Sequence, residues 1–183
     1  MRAGGGSRKG SAFERLICRV LSCWWTGDES RDDVFWRSSQ SGGRATERAK
    51  KGKKTFGSYG DIAAVDPIGL PLLKYFTIEL KRGRSHGSLG DLLDMPKEAA
   101  QQPFEKCLRQ VQRSAREAGS VTWLLVMQRD RRQCMVYADT YTWRALGIRA
   151  PHQVKTRVGP IGALRFSSFL KWVRPDDIKK LVR

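Results

Sequence analysis

Apolar positions recur along this chain with two different periods, and the switches between them mark out its elements. Phe13, Leu16, Ile17, Val20 and Leu21 return at helical spacing and predict an amphipathic helix capped by Ser11. Glu14 falls at the margin of that apolar face, roughly 100° from Phe13 at 3.6 residues per turn. Arg15 and Arg19 fall on the opposite side. Val34, Phe35, Trp36, Arg37, Ser38 and Ser39 then read as a short strand. A second apolar run, Ile62, Ala63, Ala64 and Val65, is opened by Asp61, and a third extends from Tyr75 to Lys81. Pro67, Gly69 and Pro71 punctuate the stretch between, so the second and third runs read as a hairpin with a longish loop. On the third run the period of two puts Glu79 and Lys81 on one face and Leu80 on the other.

Farther along, residues 97–118 predict a helix with Phe104, Leu108, Val111 and Ala115 as its apolar stripe, stopped by Gly119. Residues 121–127 are almost continuously apolar, the pattern of a strand covered on both faces. Residues 133–138 predict another strand, and Asp139 is placed to cap a short helix ending at Leu146. Residues 147–162 read as loop. Residues 166–173 and 175–182 predict two helices, the second with Pro175 at a permitted first-turn position. The order is that of an α/β protein: a mixed central sheet flanked by helices. It divides into a flexible basic arm at 1–10, a core at 11–138 and a helical extension at 139–183 packed on that core.

Composition sharpens this picture. The chain has 183 residues, with 35 Lys and Arg against 18 Asp and Glu, a formal net charge of +17. That length suits one domain with a real core, and that excess of positive charge favours a polyanionic partner, nucleic acid before an anionic membrane surface. No stretch reaches the ~20 apolar residues of a spanning helix. The apolar run at 16–25 is broken by Arg19, and nothing after the basic start resembles a signal peptide. The cysteines, Cys18, Cys23, Cys107 and Cys134, form no CxxC pair and lie far in sequence from His86 and His152. They read as free thiols of a cytoplasmic protein, with neither a zinc site nor a disulfide framework.

The charge is not spread evenly. Residues 44–54 hold six basic side chains in eleven positions: Arg44, Arg48, Lys50, Lys51, Lys53 and Lys54. This basic insertion, spanning 44–56, lies between the first strand and Asp61, where phosphate-backbone contact is a better use for it than a solvated loop. Arg82, Arg84 and His86 form a second basic loop after Lys81. A Glu-x-Lys pair taken alone is most often a surface ion pair. Here Asp61 opens the neighbouring strand and Glu14 lies at the margin of the first helix's apolar face, so two carboxylates and an ammonium can converge on one point, with Glu14 completing or extending the set. That set can hold a divalent metal beside a phosphodiester: Asp61, Glu79, the Leu80 backbone carbonyl and Glu14 as ligands, with Lys81 offsetting charge.

The set Glu14, Asp61, Glu79-Leu80-Lys81 resembles the PD-(D/E)XK nuclease superfamily. Arg8-Lys9-Gly10-Ser11-Ala12-Phe13-Glu14-Arg15 is similar to the first helix of archaeal-type Holliday junction resolvases. The stretch from Phe35 through Ser41-Gly42-Gly43 is similar to their serine-bearing loop. The helix carrying Gln101, Gln102 and Gln110 also fits, and residues 8–138 as a whole look most like endonuclease-like proteins of phages and prophages. The resemblance implies a restriction-endonuclease-like core and endodeoxyribonuclease activity dependent on Mg²⁺, with Mn²⁺ as a substitute. It further implies a homodimer acting on DNA, in the host cytoplasm if phage-encoded, with no small-molecule cofactor. Carried over by position, Glu14, Asp61, Glu79 and Lys81 are catalytic, and Ser38, Ser39 or Ser41 is a serine beside the site. DNA contacts are expected from Arg8, Lys9, Ser39, Ser41, the basic insertion, Arg82 and Arg84. Asp61 follows Gly60 where the motif has proline, a widely tolerated departure; two others bear on junction selectivity, the long basic insertion between Gly43 and Asp61 and an Asp61-to-Glu79 loop longer than in compact resolvases. The rival reading is a non-catalytic basic DNA-binding protein on the same fold; RNA binding by charge alone is a third, with no RNA-recognition motif to carry it.

Overall fold

The computed structural model describes residues 5–38, 59–93, 100–150 and 152–182, and of residues 5–9 the backbone only. Helix α1 (Gly5–Thr26) is followed by strands β1 (Phe35–Arg37) and β2 (Ile62–Ala64), a 3-10 turn at Pro67–Gly69, helix α2 (Leu70–Tyr75) and strand β3 (Phe76–Arg82). After a 3-10 turn at Gly90–Leu92 come helix α3 (Pro103–Ala118), strands β4 (Thr122–Gln128) and β5 (Cys134–Asp139), and helix α4 (Thr140–Ala145). Strands β6 (His152–Thr156) and β7 (Gly159–Arg165) and helices α5 (Phe166–Trp172) and α6 (Pro175–Leu181) complete the chain. The main sheet has the order β3-β4-β5-β7-β6. β3 and β4 are parallel and the other neighbours antiparallel. β1 and β2 form a separate antiparallel pair. This is a mixed α/β fold of the restriction-endonuclease-like type.

Strand periodicity divides the core into two layers. Even positions of β3 (Phe76, Ile78, Leu80) join Leu124 and Val126 of β4 on the face covered by α1, whose buried stripe is Phe13, Ile17, Leu21 and Trp25. Odd positions of β4 (Trp123, Leu125, Met127) face the stripe of α3: Phe104, Cys107, Leu108, Val111 and Ala115. Each fully buried aliphatic or aromatic side chain contributes roughly 1.5–3 kcal/mol, so these two stripes clamp β3 and β4 from both sides. The odd positions of β3 interrupt the second layer. Glu79 is only 3% exposed and lies between Thr77 and Lys81, beside a face that β4 and α3 line with apolar side chains.

Several expectations from sequence are met: the strand at residues 122–128, the stop at Gly119, where φ is 69°, and the Asp139 cap, whose carboxylate accepts from the Thr142 amide. Four are corrected. The helix begins at Gly5, so residues 5–10 are helical backbone and Ser11 lies inside α1, not at its cap. Propagating a nucleated helix is far easier than starting one, which lets the turn anchored at Phe13 extend backwards. Residues 97–118 shorten to a helix that starts at Pro103. The supposed hairpin loop is a 3-10 turn and α2, and the Asp61 strand pairs with β1 instead of β3. Asp66 caps the turn by accepting from the Ile68 amide, and Pro67 and Pro71 occupy first-turn positions. Finally, the stretch read as loop contains β6 and most of β7, which enter the main sheet through β5. The C-terminal segment is therefore part of the sheet, not a helical extension upon it.

Gly162 on β7 shows why that segment is hard to read. A Cβ there would lie 2.5 Å from the Trp143 ring, and Trp143 is 1% exposed. Glycine weakens the strand pattern but lets the indole pack on the sheet. Gly162→Ala is expected to cost about 1–3 kcal/mol by overpacking, visible as a lowered melting temperature in thermal unfolding followed by circular dichroism.

Candidate active site

Asp61 is fixed to the free edge of β3 at two points. Its amide donates to the Ile78 carbonyl at 2.8 Å, and its Oδ2 accepts from the Leu80 amide at 2.7 Å. The even residues of β3 turn their backbone groups to this edge and the odd residues turn theirs to β4. The Leu80 carbonyl therefore points to the same side as Asp61. Ser38 holds the segment from behind: its amide donates to the Asp61 carbonyl at 2.9 Å and its hydroxyl to the Gly60 carbonyl at 2.9 Å. Gly60 itself has φ 76°, and a Cβ there would meet the Ile78 carbonyl at 2.6 Å. Proline, locked near −65°, cannot take that conformation. The departure from the family motif at this position thus has a steric cause.

Glu79 lies on the face toward α3. Its Oε2 accepts from Lys81 Nζ at 3.0 Å and from Gln110 Nε2 at 2.9 Å, and its Oε1 from Ser114 Oγ at 3.3 Å. Cys107 lies one helical turn before Gln110, with His86 Nδ1 at 3.8 Å from its sulfur. Gln110 and Ser114 were not singled out as site residues from sequence, although Cys107, Gln110 and Ser114 share one side of a helix otherwise lined by apolar residues. That interruption of the stripe is the signal that could have found them.

The electrostatics follow from this crowding. Burial pushes the Asp61 carboxyl up, the Glu79 and Glu14 charges push it further, and Lys81 and the Leu80 amide pull it down; the result is about 7. For Lys81, burial favours the neutral amine, but Glu79 and Asp61 outweigh it and raise the pKa above that of a free lysine. The ammonium stays charged through neutral pH. His86 is pushed down by burial and by Lys81.

Glu14 lies on α1. It is ion-paired with Arg37 at the end of β1, and among the described residues no three metal-ligating side chains gather into one cluster. What the structure brings together is Asp61, Glu79 and Lys81, with Glu14 close enough to act on Asp61 through its charge. Asp61 offers an oxygen with no donor among the described residues, beside a second carboxylate and an outward backbone carbonyl. These hard oxygens fit a divalent cation held by one or two carboxylates and completed by water or phosphate. Arg82 is partly buried. Its guanidinium lies over the Phe13 ring, 5.8 Å from the centroid, with Asp130 at 3.9 Å. Arg84 is exposed. Ser39, Ser41, Arg44, Arg48, Lys50, Lys51, Lys53 and Lys54 lie outside the described residues, as do the side chains of Arg8 and Lys9.

Because folding raises the Asp61 pKa from 3.8 to about 7, the native state holds this proton more tightly than the unfolded chain does. Its contribution to stability therefore declines as pH rises from about 4 to about 7. Asp61→Asn, which keeps an acceptor for the Leu80 amide, is expected to raise the metal-free melting temperature at pH 8 and to raise it less at pH 5. Differential scanning calorimetry at the two pH values checks the sign.

No curated protein and no solved structure matches the chain. A family model matches residues 5–156, under the description "phage putative PDDEXK endonuclease". The match takes in α1, Asp61 and the first four strands of the main sheet in chain order, β3 to β6. With Glu79-Leu80-Lys81 on β3 and Asp61 hydrogen-bonded along its edge, the chain belongs to the phage PD-(D/E)XK endonuclease family.

Proposed function

We propose that this protein is a metal-dependent endodeoxyribonuclease that hydrolyses DNA phosphodiester bonds at the free edge of β3. The observation that carries the reading is the placement of Asp61, with one oxygen uncommitted among the described residues, beside the Glu79–Lys81 pair in a chain of net charge +17. Mg²⁺, with Mn²⁺ as a substitute, would be held by Asp61, Glu79 and the Leu80 carbonyl, and would supply Lewis acidity and lower the pKa of the attacking water. Lys81, charged at neutral pH, faces the negative charge that develops on the phosphoryl oxygens and orients the attacking water. As an ammonium it has no lone pair with which to take a proton. Gln110 and Ser114 hold the Glu79 carboxylate in one orientation, which keeps it aimed at the same point as Asp61. Arg84 and the basic insertion would contact the backbone on either side.

The similarity of the opening helix and of the stretch after β1 to junction resolvases makes branched DNA the first substrate class to test, and implies two copies acting together. Asp61→Ala, Glu79→Ala and Lys81→Ala are each expected to lower Mg²⁺-dependent cleavage by about 10²–10³-fold with DNA binding largely retained. Undiminished cleavage by Asp61→Ala would contradict the assignment, and binding without cleavage by the native chain would favour the non-catalytic reading. Comparing linear, nicked, flap and four-way DNA decides the subclass: cutting confined to the four-way form supports junction selectivity, and equal cutting of all four rejects it.

A further inference from the structure

The loop that leaves β3 and the turn that joins β4 to β5 emerge side by side. The two strands are parallel, with Lys81 in register with Met127 and Arg82 with Gln128. The Gly83 amide then donates to the Gln128 carbonyl at 3.0 Å. Arg129 follows two residues after Met127, about 7 Å beyond the level of Lys81 at strand rise. The turn closes tightly: the Arg132 amide donates to the Arg129 carbonyl at 3.1 Å, and Gln128 Nε2 to the Arg132 carbonyl at 3.1 Å. At its tip Arg131 has φ 59°, alone among the described non-glycine residues in having a positive φ. Glycine or asparagine is the ordinary occupant of that conformation.

The charges of the turn are sorted. Arg131 and Arg132 are exposed, and among the described residues neither pairs with a carboxylate. Asp130, the one acid of the turn, leans back toward Arg82 of β3. A glycine at 131 would relax the backbone, so an arginine at this position points to a use for the side chain rather than for the fold.

We propose that the β4–β5 turn is a DNA-backbone clamp, Arg131 and Arg132 holding phosphates of the strand that passes the candidate active site on its β4 side. The proposal rests on the reading of the chain as a DNA nuclease. Guanidinium forks suit phosphate oxygens, and contacts of this kind position a duplex without reading its sequence.

The test is fluorescence anisotropy of a labelled duplex across a salt series, with the full chain carrying Asp61→Asn so that binding is measured without cleavage. Adding Arg131→Gln and Arg132→Gln is expected to reduce the slope of log affinity against log salt by about 1.8, at ~0.9 per phosphate. Adding Arg116→Gln and Arg144→Gln instead removes the same charge from exposed positions at the opposite end of the sheet and is expected to leave the slope close to the parent's. Arg131→Gly separates folding from binding: the melting temperature is expected to hold or rise while affinity falls. An unchanged slope in the turn variant, or equal losses from both pairs, overturns the clamp while leaving the nuclease reading in place. Failure of the native chain to bind DNA at any salt overturns the nuclease reading itself, and the clamp with it.

Discussion

Asp61 is joined to β3 by its own amide and by its own carboxylate, to Ile78 and to Leu80, and the candidate site depends on that double attachment. β2 makes no ladder with β3, so these contacts do the positioning that a hairpin register would otherwise do. Among the described residues they leave one carboxylate oxygen uncommitted, at the edge where the Leu80 carbonyl also points. The fit at Gly60 follows: an approach close enough to bond Ile78 leaves no room for a Cβ on the preceding residue. Ser38 closes the arrangement from the β1 side.

The same geometry creates an electrostatic problem. Asp61 is brought beside Glu79 with Lys81 as the cation that pairs directly with Glu79, and with Glu14 already engaged by Arg37. Burial and repulsion make the ionised Asp61 unfavourable in the metal-free protein. Each pKa unit corresponds to about 1.4 kcal/mol, so ionisation at this position works against folding. Stability would be better served by an uncharged residue, and a divalent cation would reverse the sign of the effect. Gln110 and Ser114 on α3 hold Glu79 in place on the opposite side.

Much of this was legible in the sequence, for identifiable reasons. The period of two in β3 put Glu79 and Lys81 on one face whatever the rest of the fold did. The long apolar run of β4 announced a central strand, and Asp139 and Gly119 marked helix ends by chemistry that acts locally. What escaped was set by tertiary packing. Gln110 and Ser114 become partners of Glu79 only once α3 docks on β3. Arg37 claims Glu14 only once β1 lies beside α1. β7 hid behind Pro160 and Gly162, residues that lower strand propensity, although the missing Cβ of Gly162 makes room for Trp143. The packing of the Arg82 guanidinium over Phe13 follows from its even position on β3 and was not legible from the basic loop that follows it.

The central claim is that Asp61 and Glu79 together form a divalent-cation site. Titration of the full chain with Mn²⁺, read by calorimetry and by loss of the free-ion paramagnetic signal, tests it without reference to cleavage. The account predicts binding by the native chain that is lost or greatly weakened in Asp61→Asn and in Glu79→Gln, with both variants still folded. Mn²⁺ binding of unaltered affinity in either variant would contradict it.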